Sequence, residues 1–277
     1  MARRGSLNTT HFWRHPEIPG LSLMCADLTA HDYPRHVHDA VVIAVTEAGG
    51  SVIESRGAVE EARDSSLFVF NPLEPHAGRM GTSKRWRYRS FYLARPAMAE
   101  VRAGLGIERD PFFVHNRIDD PTLRQGFLAL HGALEKREDP FREAELLWET
   151  FGILYSSHGL MSERVEDISP EPARLRAAVD CMRDRHAENL LLTDIGAAVG
   201  LSPFQLISLV KRSTGLTPHA YLTQIRLHMA CRLLLRGVPI SEAAVASGFY
   251  DQSALNRNFK RCYGITPLQF ARADRRR

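Results

Sequence analysis

Residues 240–271 read ISEAAVASGFYDQSALNRNFKRCYGITPLQFA, and residues 192–222 read LTDIGAAVGLSPFQLISLVKRSTGLTPHAYL. Set side by side, they align Leu192 with Ile240, Gly200 with Gly248 and Leu201 with Phe249, an offset of 48. One extra residue in the second copy moves the offset to 49 and pairs Leu206 with Leu255, Lys211 with Lys260, Gly215 with Gly264, Thr217-Pro218 with Thr266-Pro267, and Tyr221 with Phe270. A repeat of this length marks a duplicated supersecondary unit. Each copy starts with a short Ala-rich helix that stops at a glycine able to take positive φ. A polar pair follows, then a helix with an apolar inner edge and a polar outer one, which is the layout of a helix-turn-helix. Ser202-Pro203 supplies an N-cap and a proline at the first helical position, and Asp251 can cap the second copy. A duplicated hairpin used only for packing is the alternative reading.

Charge separates these readings. The chain has 277 residues and a net charge of +4, yet residues 169–277 carry 16 Lys and Arg against 8 Asp and Glu, while residues 1–168 carry 20 against 24. A surplus of +8 on the duplicated half and −4 on the rest points the helical half toward a polyanion.

Residues 190–272 resemble the DNA-binding domain of the AraC/XylS family of bacterial transcription regulators. The second copy carries most of the likeness, through Ile240, Ala244, Gly248-Phe249, Gln252-Ser253, Arg257, Phe259-Lys260, Gly264-Ile265-Thr266-Pro267 and Phe270. The resemblance implies two helix-turn-helix units, about 190–213 and 238–262, joined by one long helix over His219 to Arg236 that ends at Gly237. It also implies that the second helix of each unit enters the major groove of double-stranded DNA. The outward residues are then Ser202, Phe204, Gln205, Ser208, Lys211 and Arg212 in the first unit, and Gln252, Ser253, Asn256, Arg257, Lys260 and Arg261 in the second. Gln, Asn and Arg suit base edges, whereas Lys211, Arg212, Lys260 and Arg261 suit phosphate. The first unit departs from the family at Ser208 and Val210, commonly Arg and Phe, and so supplies fewer base contacts; Leu255 stands where an aromatic is frequent.

The amino-terminal half has a different rhythm. Short apolar runs, Leu21–Leu28, Ala40–Thr46, Ser51–Ser55, Ser66–Phe70 and Arg87–Leu93, are broken by turn residues and predict a small β-sandwich or barrel. From Pro121, Leu123, Phe127, Leu130 and Leu134 follow helical spacing, as do Leu146, Leu147, Phe151, Leu154 and Tyr155 after Pro140. The stripes predict two helices whose apolar face packs on the barrel or forms a dimer seam. This half resembles the cupin-like sensory domain attached to many members of the same family, through Arg35-His36-Val37-His38-Asp39 and Asn71-Pro72-Leu73-Glu74-Pro75-His76. The expected fold is therefore an α+β multidomain chain. A cupin-like β-barrel with two following helices occupies 1–160, a linker 161–172, and an all-α DNA-binding domain 173–277.

On a strand, His36 and His38 share a face, and a barrel can bring His76 to them. Three readings stay open: a metal site, the lining of a small-molecule pocket, or hydrogen bonding at strand ends. Metal-binding cupins usually add a Glu four or five residues after the second histidine, where this chain has Val42 and Ile43. No metal or other cofactor is therefore expected, and His36, His38, His76, Trp86 and Tyr88 are the candidate effector residues. Period two places Trp86, Tyr88 and Tyr92 on one face, a stacking wall or core, and Arg87, Arg89 and Phe91 on the other, an anion clamp or solvated charges.

The sequence shows no nucleophile motif, phosphate loop or complete ligand quartet, so the expectation is a regulator and not an enzyme. The different-class alternative is a metal-dependent cupin enzyme fused to a DNA-binding domain. Four cysteines with no CxxC pair argue against a disulfide scaffold. The absence of an apolar run of about 18 residues, with a polar stretch after Met1-Ala2-Arg3-Arg4-Gly5, predicts a cytoplasmic protein that does not engage the membrane and lies on the nucleoid when bound to DNA. The partners expected are duplex DNA, a small-molecule effector, RNA polymerase at activated promoters, and a second copy of the chain.

Overall fold

The computed structural model describes residues 8–273 apart from 65, 138 and 161–169, and for 170–172 the backbone only. The polar start at Met1-Gly5 and most of the expected linker lie outside the described residues. The chain divides into two compact units, an amino-terminal one rich in strands and a carboxy-terminal one made of helices. Tyr33–Val37 groups with the second.

The strands are β1 (Thr9–Arg14), β2 (Leu21–Leu28), β3 (Tyr33–His36), β4 (Ala40–Gly49), β5 (Ser51–Ser55), β6 (Ala58–Ala62), β7 (Leu67–Phe70), β8 (His76–Met80), β9 (Trp86–Ala94) and β10 (Arg117–Ile118). In the first unit, one sheet has the order β1-β2-β9-β4-β7-β10, and a second contains β8-β5-β6. Both are antiparallel, with Val42 opposite Phe70 and Val42 also opposite Tyr92. β4 begins AVVIAV and β7 reads LFVF, continuous apolar runs buried along most or all of their length. A strand covered on both faces needs such a run, whereas alternation suffices for one that faces water.

The cover on the outer face is helical. Here α1 (Arg95–Gly104), α2 (Pro121–Lys136) and α3 (Pro140–Ile153), continued by a wider turn over Leu154–His158, pack on the large sheet. The sequence reading anticipated α2 and α3 and missed α1, a ten-residue helix with only Ala97, Met98 and Val101 buried. Asp120 caps α2 by accepting from the Leu123 amide at 3.0 Å, and Asp139 caps α3 through the Phe141 and Arg142 amides. The apolar stripe Leu123, Phe127, Leu130 and Leu134 is buried against Phe91, Leu23, Ile43 and Val69 of the sheet, so its partner is the protein's own β unit.

Polar side chains tie the loops beneath the sheets. Buried Glu74 accepts hydrogen bonds from Ser55 Oγ (2.9 Å), the Asn71 amide (3.1 Å) and side chain (2.8 Å), and Asn116 Nδ2 (2.5 Å). It also pairs with Arg56 at 2.5 Å, and Arg56 reaches onward to the carbonyls of Phe113 and Val114.

The second unit contains α4 (Pro170–Asp184), α5 (Leu192–Val199), α6 (Pro203–Thr214), α7 (Pro218–Leu235), α8 (Ile240–Ala246), α9 (Gln252–Tyr263) and α10 (Pro267–Ala271). No single helix among the described residues is long and apolar enough to cross a membrane. Arg226 on α7 donates to the carbonyls of His186 (2.8 Å) and Glu188 (2.9 Å), which fastens the long helix to the chain after α4.

Candidate nucleic-acid interface and effector site

Each repeat folds into a pair of helices, and the axes of α5 and α6 meet at 84°, close to the 90–120° of a helix-turn-helix. Gly200 closes α5 at φ +66°, a backbone conformation that L side chains strain to adopt. At the equivalent turn Gly248 has φ +87°, and a Cβ there would lie 2.4 Å from the His186 carbonyl oxygen. Any side chain at 248 would therefore pry the second unit's turn away from the loop that Arg226 holds.

The second helix of each pair is amphipathic in the same sense. In α6, Leu206, Leu209 and Val210 are buried, while Phe204, Gln205, Lys211 and Arg212 are exposed and Ser208 is half-buried. In α9, Leu255, Phe259 and Cys262 are buried; Gln252, Ser253, Arg257, Lys260 and Arg261 are exposed and Asn256 is half-buried. With Ser202, ten of the twelve residues expected to face outward are thus exposed, and Ser208 and Asn256 are half-buried. Ser202 and Gln205 are engaged locally: the Ser202 hydroxyl accepts from the Gln205 amide and Gln205 Oε1 accepts from the Ser202 amide, a reciprocal capping box. Asp251 caps α9 through the Ala254 amide at 2.6 Å, and Arg261 is drawn to Asn258 at 2.8 Å.

Sequence reading passed over Tyr250, 93% exposed in the turn just before the α9 cap, and Phe204 is 80% exposed near the start of α6. The signal in the sequence is an aromatic placed between two helices, outside the apolar stripe of either. The tyrosine follows Gly248-Phe249, in the turn before the cap.

α7 has 18 residues, a length of about 27 Å at 1.5 Å per residue. Tyr221, Ile225, Ala230 and Leu234 are buried along it; Ala220 and Leu233, expected to face the cores, are half-buried.

In the first unit, Trp86 and Tyr88 are both buried and stack at 4.4 Å, with Trp86 Nε1 donating to Thr46 Oγ1 at 3.2 Å. Tyr92, two pleats along β9, meets His38 edge-on at 5.3 Å, and His38 lies 5.3 Å from His76. His76 stacks on Phe70 at 4.0 Å and holds the Glu74 carbonyl oxygen through Nδ1 at 2.9 Å. Burial pushes the Tyr92 phenol up to about 12, so it stays neutral. His36 falls in the segment grouped with the second unit; it is buried, with Nδ1 2.7 Å from the Pro34 oxygen. The structure thus brings together His38, His76 and Tyr92 within the first unit, and Trp86 with Tyr88 further along the same strand face.

The opposite face of β9 holds no vacant anion clamp. Arg87 pairs with Glu47 at 3.3 Å, and Arg89 pairs with Glu47 at 3.0 Å and Glu135 at 2.6 Å, so the clamped anions are the protein's own carboxylates. Phe91 turns into the helical cover, 4.7 Å from Phe127.

Two family models match the chain: a helix-turn-helix domain over residues 195–273 and an AraC-like ligand binding domain over residues 18–151. The chain is 27% identical over 226 residues to the uncharacterised helix-turn-helix transcriptional regulator YbfI of Bacillus subtilis, covering 80% of each. It is 25% identical over 273 residues to the transcriptional activator RhaS of Klebsiella pneumoniae, covering 94% of this chain and 95% of the relative. Among solved structures, ToxT of Vibrio cholerae shares the fold with TM-score 0.55 at 12% identity, covering 96% of this chain and 98% of the other. A ToxT structure bound to an unsaturated fatty acid matches with TM-score 0.53 at 10% identity, covering 99% of this chain and 97% of the other.

Proposed function

The chain belongs to the AraC family of transcription regulators, with an amino-terminal ligand-binding domain and a carboxy-terminal DNA-binding domain, and from that premise we propose how its residues divide the work. The two helix-turn-helix units read two major-groove segments of one operator. Gln252, Ser253, Asn256 and Arg257 on α9 are the principal base readers. In α6, Phe204 and Ser208 are the readers, while Ser202 and Gln205, tied into the capping box, chiefly shape the helix end. Lys211, Arg212, Lys260 and Arg261 neutralise phosphate. The observation that carries this reading is the repeated amphipathic second helix, apolar inside and polar outside in both copies.

The effector is proposed to bind among Trp86, Tyr88, Tyr92, His38 and His76 of the first unit. This setting suits a small, flat molecule with one polar end. The ToxT match supports a small-molecule role for this domain type, since that protein has been captured with an unsaturated fatty acid. Ligand control requires only that two conformations bind the effector with different affinity. Contact with RNA polymerase, self-association, and a cytoplasmic, nucleoid-bound location complete the proposal.

The test starts from an operator selected by the full chain out of random duplexes. Arg257→Ala is expected to weaken binding by about 1–3 kcal/mol and to relax preference at one base position, and Ser208→Ala to cost less. Lys260→Ala is expected to lower affinity evenly across sequences and to reduce the slope of log K against log salt by about one. Equal losses for Arg257→Ala and Ser208→Ala in a titration at fixed salt overturn the division of labour. Stoichiometric metal in the purified protein together with turnover of a small molecule would favour the enzyme alternative.

A further inference from the structure

The turns of the two helix-turn-helix units differ by one residue, and their hydrogen bonds locate it. Leu201 and Phe249 are counterparts in three dimensions: the Leu201 amide donates to the Gly196 carbonyl and the Phe249 amide to the Ala244 carbonyl, each at 2.9 Å. Ser202 and Asp251 are counterparts too, since each caps the following helix by accepting from the amide three residues on. Only Leu201 separates Gly200 from Ser202, whereas Phe249 and Tyr250 separate Gly248 from Asp251. The step in the repeat offset from 48 to 49 is therefore Tyr250.

The shorter turn presses on its own first helix. At Gly196 a Cβ would lie 2.5 Å from the Leu201 carbonyl oxygen, so that turn requires glycine, while the counterpart in the longer turn is Ala244, whose methyl group is fully buried. The extra residue also departs from the ordinary packing of a helix start. An apolar residue just ahead of an N-cap commonly folds back onto the fourth residue of the helix. Tyr250 holds that place before Asp251, yet it is 93% exposed, and Leu255, the residue it would cover, is at 0% exposure. Phe249 takes the inner role instead, at 8%. The fold thus makes little use of the tyrosine ring.

The helix behind Tyr250 is basic: Arg257, Lys260 and Arg261 are exposed on α9, and its first turn has no acidic residue. The neighbouring Asp251 carboxylate is turned to the helix end, 2.6 Å from the Ala254 amide. A recognition helix meets base edges through its N-terminal residues. On the placement of α9 proposed above, on which this inference rests, a side chain just ahead of the cap stands at the lip of the groove, where the sugar-phosphate strand passes. We propose that Tyr250 is a DNA contact peculiar to the second unit, its phenol hydroxyl donating to a phosphate oxygen that borders that unit's base segment. Tyrosine hydroxyls donate to phosphate and by doing so fix register without reading a base. The first unit has no equivalent residue, so the operator is gripped unequally at its two segments.

The probe is the operator selected by the full chain, and the variant is Tyr250→Phe, which keeps the ring and removes the donor. Thermal melting is expected to match the parent, because the side chain is solvated. Affinity is expected to fall about tenfold, evenly across operator variants, with the slope of log K against log salt unchanged because the lost donor carries no charge. A single methylphosphonate walked along the duplex should cost the parent more than Tyr250→Phe at one position beside the second segment. An equal cost to both proteins at every position overturns the proposal, as does a loss confined to one base pair, which would make Tyr250 a base reader. Unchanged affinity in Tyr250→Phe while Arg257→Ala weakens binding removes the contact and leaves the placement of α9 standing; unchanged affinity in both removes that placement as well. Unchanged affinity with weaker transcription from the same operator would assign the tyrosine to a protein partner.

Discussion

Leu130→Glu combined with Leu134→Glu is expected to leave the amino-terminal unit unfolded. Both leucines are buried, at 0% and 2% exposure, in the core between α2 and the large sheet. Truncating a core leucine costs about 2–5 kcal/mol, and each new carboxylate must also be dehydrated with no cation supplied to meet it. Two such losses at one helix face reach the whole stability of an ordinary domain, about 5–15 kcal/mol. All three tryptophans, Trp13, Trp86 and Trp148, belong to this unit. Their fluorescence should therefore report unfolded emission while part of the helical circular dichroism survives. A folded protein that merely loses self-association in sedimentation would instead place the stripe at an interface between copies.

Glu74→Ala carries the second largest expectation, a loss of about 3–5 kcal/mol, because it strands the Arg56 guanidinium and the amides of Asn71 and Asn116 without their shared acceptor. The wild-type carboxylate also makes stability depend on pH. Burial on its own raises its pKa, but the hydrogen bonds from Asn71, Asn116 and Arg56 outweigh burial and hold it below the usual carboxylate range. A carboxyl with a depressed folded-state value contributes fully above the unfolded value, and its contribution is lost as pH falls through the folded one. Urea melts followed by tryptophan fluorescence should show an acid-side decline in the parent that is flattened in Glu74→Gln. An acid limb of unchanged slope in Glu74→Gln would assign the decline to other carboxylates.

The helical half was almost fully legible because its information is local and stated twice. Gly200, Gly215, Gly248 and Gly264 fall at left-handed positions in the structure, and the caps at Ser202 and Asp251 form as their residue types suggest. The β half was legible only where a strand is apolar. Leu21–Leu28 and Ser51–Ser55 were recovered to the residue, but β6, with the sequence AVEEA, is largely solvated and β8 is interrupted by Gly78, so neither carries a hydrophobic pattern. The stripe on α2 revealed that one face is buried and not what buries it, since a barrel wall and a second subunit select the same leucines. Least visible were contacts between distant positions. Nothing near Glu74 in the sequence announces Asn116, 42 residues on, and nothing near Arg89 announces Glu135. Polar networks of that kind exist only once the fold has assembled them.

The long helix α7 also constrains how such a regulator can change over generations. A helix advances about 100° and 1.5 Å per residue. Deleting one codon within its 18 residues would swing the second reading head more than a quarter turn around the axis while shortening the reach only slightly. Such a lesion spoils the phase between the two heads far more than their spacing, and no single base change in the operator restores it. On the proposed division of labour, substitutions on the exposed face of α9 can follow a target sequence one base at a time, whereas α7 is free to vary only at its exposed positions and is locked in length.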